Sequence, residues 1–316
     1  MSEQSIPVVD LRDWHDPAAR GRFADEVGRA LTDIGFFAVS NHGVSPALQQ
    51  RAYEAAKRFF GLPRDRKARY TRPGAKGQRG YTGFGTEHAR DSGAPDLKEF
   101  WQVGRTGVPE DHPVHRPYGP NPWPSADVPD FEPAMTALYE ALDGLGAELL
   151  EACALYLDEP AGVFRDLCTD SDTIVRVIYY PPVPRDAPPG SVRSAAHEDI
   201  NLITLLSAAT AEGLELLQRD GRWRPVHTGF DTIVVDAGDM LQNVTNGLYR
   251  STTHRVVNPA DASSDRYSMP CFIHPRKDAD LTPRASCVAR TGDVARYPSI
   301  TAGAYLDQRL REIGLA

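Results

Sequence analysis

The chain has 316 residues, with 35 Lys and Arg against 43 Asp and Glu, for a formal charge of −8. An apolar content of 41% excludes wholesale disorder, and net acidity argues against a nucleic-acid partner. Four scattered cysteines (Cys153, Cys168, Cys271, Cys287), no signal-peptide pattern at Met1–Pro7 and no apolar run of ~18 residues point to a cytoplasmic protein without disulfides or membrane spans.

In chain order, Ile6 to Leu11 reads as a short strand. Asp16 followed by Pro17 reads as a helix start, and Phe23, Val27, Ala30, Leu31 and Ile34 continue at helical spacing. Phe36 to Ser40 is a compact apolar strand. Ser45-Pro46 opens a second helix, which Gly61-Leu62-Pro63 stops. From Arg64 to about Pro133 the chain is rich in Gly, Pro and charge, and Tyr81, Phe84, Phe100 and Trp101 give it aromatic anchors. The part from Gly80 to Arg105 is a candidate cover for a site; simple packing on the core is the alternative. Met135, Leu138, Leu142, Leu145 and Leu149 then mark a core helix running to about Leu157.

Beyond residue 170 the texture changes to short strands: 174–180, 202–206, 214–217, 232–236, 252–257 and 267–274. Pro181-Pro182, Asp220-Gly221, Ala237-Gly238-Asp239 and Asn246-Gly247 punctuate them. The last dipeptide is a hairpin signal, because both residues tolerate positive φ. Val163 to Cys168 and Thr301 to Leu315 read as helices. Many short strands with frequent turns suggest a sandwich or barrel, and a double-sheet jelly roll is one such architecture.

Chemistry concentrates in His197-Glu198-Asp199. Residues two apart on a strand share a face, so imidazole and carboxylate can converge on one ion. His254 supplies a third donor. Two histidines and a carboxylate on one face of a divalent metal leave positions open for substrates. Arg266 and Ser268 also share a strand face, and a guanidinium beside a hydroxyl suits a carboxylate ligand. Tyr180 ends a strand on which 176, 178 and 180 alternate to one side, where it can donate to that carboxylate.

With these residues in place, the sequence resembles the isopenicillin-N-synthase-like branch of the non-haem Fe(II)/2-oxoglutarate-dependent dioxygenases. The matching pieces run almost end to end: 6–11, Gly35-Phe36-Phe37, Asn41-His42-Gly43-Val44, Phe59 to Pro63, Tyr179-Tyr180-Pro181-Pro182, the His197 motif, Gly213 to Leu217, Gly238 to Gln242, Asn246-Gly247 to Val256, and Arg266-x-Ser268.

The resemblance implies a mixed α/β (α+β) fold. Its core is a distorted double-stranded β-helix, or jelly roll, with flanking N-terminal helices and a C-terminal helix. Residues 1–130 would form the N-terminal helical and loop region and 131–316 the oxygenase core, together one compact unit. It also implies Fe(II) on His197, Asp199 and His254, with 2-oxoglutarate as cosubstrate on Arg266, Ser268 and Tyr180, and O2. Many members carry Asn two residues before the tyrosine; here that position is Ile178. Many carry Thr where Glu198 stands, a side chain expected to point away from the metal.

The expected activity is oxidation of an unactivated C–H of a small organic metabolite, most commonly hydroxylation, with release of succinate and CO2. A small-molecule substrate, a monomer, and neither nucleic acid nor membrane as partner are expected. Phe272 and Arg176 are the candidate substrate residues. The first has a plain core role as its alternative. Arg176 could pair an acidic substrate or make a structural salt bridge. Alternatives kept open are an oxidase that uses O2 without 2-oxoglutarate, a zinc hydrolase on the same three donors, and a non-catalytic binding module. His15, His42, His88, His112, His115, His227 and His274 take no assigned role.

Overall fold

The computed structural model describes residues 6–87, 96–116, 118–227 and 229–312. The chain opens with strand β1 (Val8–Asp10), helices α1 (Leu11–His15) and α2 (Arg20–Asp33), strand β2 (Phe36–Ser40) and helices α3 (Pro46–Phe60) and α4 (Arg64–Ala68). Asp10 caps α1, accepting from Arg12 N, and the helix expected to start at Asp16 is α2, which starts at Arg20 with Ala19 at its N-cap. Asp16 instead closes a turn by accepting from Ala18 N at 2.9 Å. Ser45 caps α3 with Pro46 in its first turn.

Strands β3 (Gly80–Thr82) and β4 (Glu99–Val103) follow, then the long helix α5 (Phe131–Tyr156), the short α6 (Gly162–Arg165) and β5 (Ile174–Tyr180). The remaining strands are β6 (Ser194–His197), β7 (Ile203–Leu206), β8 (Leu214–Leu217), β9 (Trp223–Pro225), β10 (Thr232–Ala237), β11 (His254–Val256), β12 (Arg266–Ser268) and β13 (Pro270–Ile273). Helix α7 (Asp239–Val244) interrupts them, and α8 (Ala285–Arg290) and α9 (Ala302–Glu312) close the chain.

Two sheets result. The large one runs β1-β2-β10-β7-β13-β5-β4-β3, with β12 also on β5; the small one runs β6-β11-β8-β9. Only the β1–β2 pair is parallel among the described strand pairs. Side chains alternate across each strand, so one face of the large sheet turns to the small sheet and the other to helices. Helix α5 fills that outer side with Met135, Leu138, Leu142, Leu145 and Leu149. Gly146 lets it approach closely: a Cβ there would sit 2.8 Å from Ile273 Cδ1.

Two expectations change. The Gly80–Arg105 stretch is not a free cover where it is described, because β3 and β4 extend the large sheet through β5. Trp101 is fully buried against Phe59 and Phe131, with ring centroids at 4.8 and 5.1 Å. Burial of a large aromatic outweighs the local Gly and Pro content. The part at 88–95, including His88, lies outside the described residues. Second, Asn246-Gly247 does adopt positive φ (52° and 80°), but it follows α7 rather than joining two strands. The Asp220-Gly221 turn forms and joins β8 to β9 as a hairpin. Among the described residues, no helix is long and apolar enough to cross a membrane.

Candidate metal centre and ligand cavities

His197 ends β6 and His254 begins β11, and the two face each other as cross-strand partners. Register therefore brings together two histidines that are remote in sequence. Asp199 lies just beyond β6 rather than on it. Its place is held by neighbours: Asp239 N donates to its carbonyl at 2.7 Å, and Thr204 Oγ1 donates to its Oδ2. Asp199 Oδ1 then stands 3.8 Å from His197 Nε2 and 3.7 Å from His254 Nε2. All three donor atoms lie within 4.8 Å of one another.

The protonation pattern fits a cation. His197 Nδ1–H donates to Ala195 O at 2.7 Å and His254 Nδ1–H to Thr252 O at 3.1 Å. Each hydrogen bond leaves the Nε2 lone pair aimed at the centre, the arrangement metal-binding imidazoles use. Burial, with His254 beside it, pushes His197 down to about 4, so it stays neutral. Two imidazoles with one carboxylate are a donor set for a divalent ion with open positions.

Two cavities meet at this point. The inner one, about 70 Å³, lies between the sheets and includes Tyr180, Arg266, Ser268, His197, Asp199 and His254 in its wall. Arg266 pairs across the ladder with Tyr180, and Ser268 with Ile178. The Arg266 guanidinium carbon lies 5.1 Å from the Tyr180 ring centre. Arg266 is 1% exposed, its Nε donates to Ala211 O, and its Nη1 has no partner. A buried guanidinium nitrogen left unpaired is costly, and a carboxylate in the cavity would remove that cost. Ile178 adds an apolar wall here.

The outer cavity, about 200 Å³, shares His197, Asp199, Arg176, Lys98 and Phe272 with the inner one. Arg176 and Phe272, the two sequence candidates, thus stand where the cavities join. Arg176 is already neutralised: its Nη1 donates to Glu87 Oε1 at 3.1 Å. Of the two roles expected for Arg176, the structure shows the salt bridge, with Glu87 as its built-in counter-ion. Burial opposes the charge on Glu87, but Arg176 and Lys98 outweigh it and hold its carboxyl at about 2. Lys98 in turn bridges Glu87 and Asp96, each at 2.8 Å. Glu198 accepts from Thr253 Oγ1 and edges the outer cavity.

Several wall residues carry no local sequence signal. Gln102 reaches the outer cavity because β4 pairs with β5, which sets it opposite Arg176. His274, left without a role above, also lines it and is pushed down to about 4 by burial. Leu306, Arg309 and Leu310 show that α9 forms part of the wall. Arg309 Nη2 and Tyr305 Oη both reach Asp239 Oδ2 at 3.2 Å, so α9 is tied to the residue that holds Asp199. Asp236 on β10 faces the inner cavity; burial and then Asp199 push its carboxyl well above the usual range.

A double-sheet barrel that holds two histidines and an aspartate at its mouth defines a non-haem metal oxygenase scaffold. Comparison with known proteins makes the class specific. Residues 6–126 match the model described as non-haem dioxygenase in morphine synthesis N-terminal, and residues 171–275 match the 2OG-Fe(II) oxygenase superfamily. A 2-oxoglutarate-Fe(II) type oxidoreductase from Aspergillus fumigatus is 32% identical, over 94% of this chain and 90% of that protein. A 2OG-Fe(II) oxygenase family protein from Caulobacter crescentus has a similar structure, with TM-score 0.86, 39% identity and coverage of 97% and 98%. So does a full-length Neurospora crassa protein in complex with alpha-KG and thymine, with TM-score 0.86, 28% identity and coverage of 98% of each chain. The chain belongs to the Fe(II)/2-oxoglutarate-dependent oxygenase family. It is an enzyme of that class, whose cofactors are Fe(II), 2-oxoglutarate and O2. The zinc hydrolase and binding-module alternatives, and the oxidase without 2-oxoglutarate, gain no support from these relatives.

Proposed function

We propose that the enzyme hydroxylates a small, planar ring compound that carries an amide edge, with His197, Asp199 and His254 holding Fe(II) and Arg266, Ser268 and Tyr180 receiving the distal carboxylate of 2-oxoglutarate. When bound, iron and cosubstrate supply the oxidation: one atom of O2 enters the product C–OH and the other enters succinate as CO2 leaves. The protein's own residues position the parts. The inner cavity orients the cosubstrate end-on from Arg266 toward the three donors, and the sheets around it exclude water.

The observation that carries the substrate class is an unpaired donor and an unpaired acceptor on neighbouring strands of the cavity wall. Arg176 Nε and Gln102 Oε1 are both buried without a hydrogen-bond partner, on paired positions of β5 and β4. Both residues line the outer cavity, and Phe272, 5.3 Å from the Arg176 guanidinium carbon, offers a ring face beside them. A ring amide presents C=O and N–H on one edge, which matches the donor on Arg176 and the acceptor on Gln102. Its flat face suits Phe272. Glu87 already balances Arg176, so a neutral ligand fits better than an acid. Thymine, the ligand in the Neurospora complex, is a ring of this chemical kind.

The test is succinate release from Fe(II)-loaded enzyme across a panel of ring amides and imides set against acyclic carboxylic acids. The reading expects stimulation by at least one ring amide, with KM raised about tenfold or more in Gln102→Leu. Stimulation confined to the acyclic acids would contradict it.

A further inference from the structure

A second arginine stands behind the inner cavity and belongs to none of the assignments above. Arg193 immediately precedes β6 and has no exposed surface. Its Nη2 donates to Ser264 O at 2.6 Å, while its Nε and Nη1 are buried without a partner. Its guanidinium carbon lies 6.0 Å from the Tyr180 ring centre, and that of Arg266 lies 5.1 Å from the same ring. No ion pair to Arg193 or Arg266 occurs among the described residues. Burial, and then Arg266, weaken the hold of Arg193 on its proton, while Tyr180 and the exposed Asp265 strengthen it.

The other buried cations of the two cavities are balanced. Lys98 and Arg176 share Glu87 and Asp96. Arg193 and Arg266 therefore form an uncompensated pair of buried positive charges on one tyrosine. Such a pair costs free energy in the ligand-free protein, because each guanidinium has left water without a counter-ion. Two like charges around one tyrosine, with Arg266 Nη1 unpaired at the cavity wall, describe a place prepared for an anion. Arg193 does not itself reach the cavity wall, so it acts through its field and through Tyr180 and Arg266.

We infer that Arg193 is a positioning residue for the cosubstrate, a second buried cation that makes the inner cavity select a 2-oxo acid with a distal carboxylate. The inference rests on the proposed placement of that carboxylate at Arg266. It carries an unusual consequence: the residue lowers the stability of the empty protein and raises that of the loaded one.

The test titrates anaerobic Fe(II) enzyme with 2-oxoglutarate and with 2-oxopentanoate, of equal chain length but without the distal carboxylate, following the visible charge-transfer band. The quantity read is the ratio of the two Kd values. Arg193→Gln should lower the preference for 2-oxoglutarate roughly tenfold, the order of one partly screened charge interaction. Arg193→Lys should keep most of it. Arg193→Met, of similar length and with no charge to bury, is the second uncharged variant. It should melt at or above the wild-type temperature when empty and gain less from saturating 2-oxoglutarate. An unchanged ratio in the folded Gln or Met variant would overturn the inference, as would equal weakening of both acids, which is the mark of a merely structural role. Arg266→Gln separates the underlying placement. An unchanged ratio there removes the carboxylate from Arg266, whereas a lost ratio there with none lost at Arg193 removes only Arg193.

Discussion

Two backbone carbonyls decide what the histidines can do. Ala195 O and Thr252 O take the Nδ1 protons of His197 and His254, and Nε2 is left as a lone pair. Substitution of any of the three donors should therefore abolish tight metal binding, not merely slow the reaction. We expect His254→Ala to lose at least ~10-fold in Fe(II) affinity and nearly all activity, measured by metal content after dialysis. Retained stoichiometric iron would contradict the assignment. His274 gives a separate prediction. Burial holds it at about 4, Asp172 and Asp199 favour its charge, and Arg176 opposes it. An unfolded histidine titrates near ~6.5. Between these values the unfolded chain takes up a proton that the folded one refuses. Stability is therefore full above ~6.5 and is lost as pH falls toward 4. Melting temperatures from pH 7 to 4.5 should fall less steeply in His274→Gln than in the wild type; parallel curves would contradict the burial argument.

At the scale of elements, the site is assembled from strands that meet through register. Strand β5 was legible in the sequence to the residue, since Ile174 to Tyr180 is β-branched or aromatic at every position but Arg176. Arg266-x-Ser268 was legible because residues two apart on a strand share a side; the His-x-Asp motif was legible from its donor types, although Asp199 lies past the end of β6. Strands β3 and β4 were not. Every residue of β4 is buried on both faces, so Glu99 to Val103 shows no alternation, and its pairing with β5 is remote in sequence. The cavity role of Gln102 followed it out of sight. Helix α9 was legible as a helix near Thr301, yet nothing local reveals that Leu306 and Leu310 face the cavity. Two predictions belong here. Trp101→Ala should cost about 3–5 kcal/mol of stability in denaturant unfolding, as large aromatic deletions from packed cores do. Arg309→Ala, which removes one of the two contacts from α9 to Asp239, should raise the substrate KM several-fold while 2-oxoglutarate binding changes little. A selective loss of 2-oxoglutarate affinity would contradict the separation of the two cavities.

For the whole molecule, two sheets of unequal size leave a gap that is polar at one end and open at the other. The large sheet draws strands from both ends of the chain, with β1 to β4 joined to β5, β7, β10, β12 and β13. Helix α5 seals its outer face, so the barrel interior is free for ligands. The narrow compartment ends at Arg266 and Tyr180, and the wider one opens beside Phe272. The most direct measurement of this account is the visible charge-transfer band formed when 2-oxoglutarate is added to anaerobic Fe(II) enzyme. We predict a band in the wild type that saturates at one cosubstrate per chain, is lost in Asp199→Ala, and needs far more 2-oxoglutarate in Arg266→Gln. Absence of the band in iron-loaded wild type, or its persistence unchanged in both variants, would contradict the placement of metal and cosubstrate.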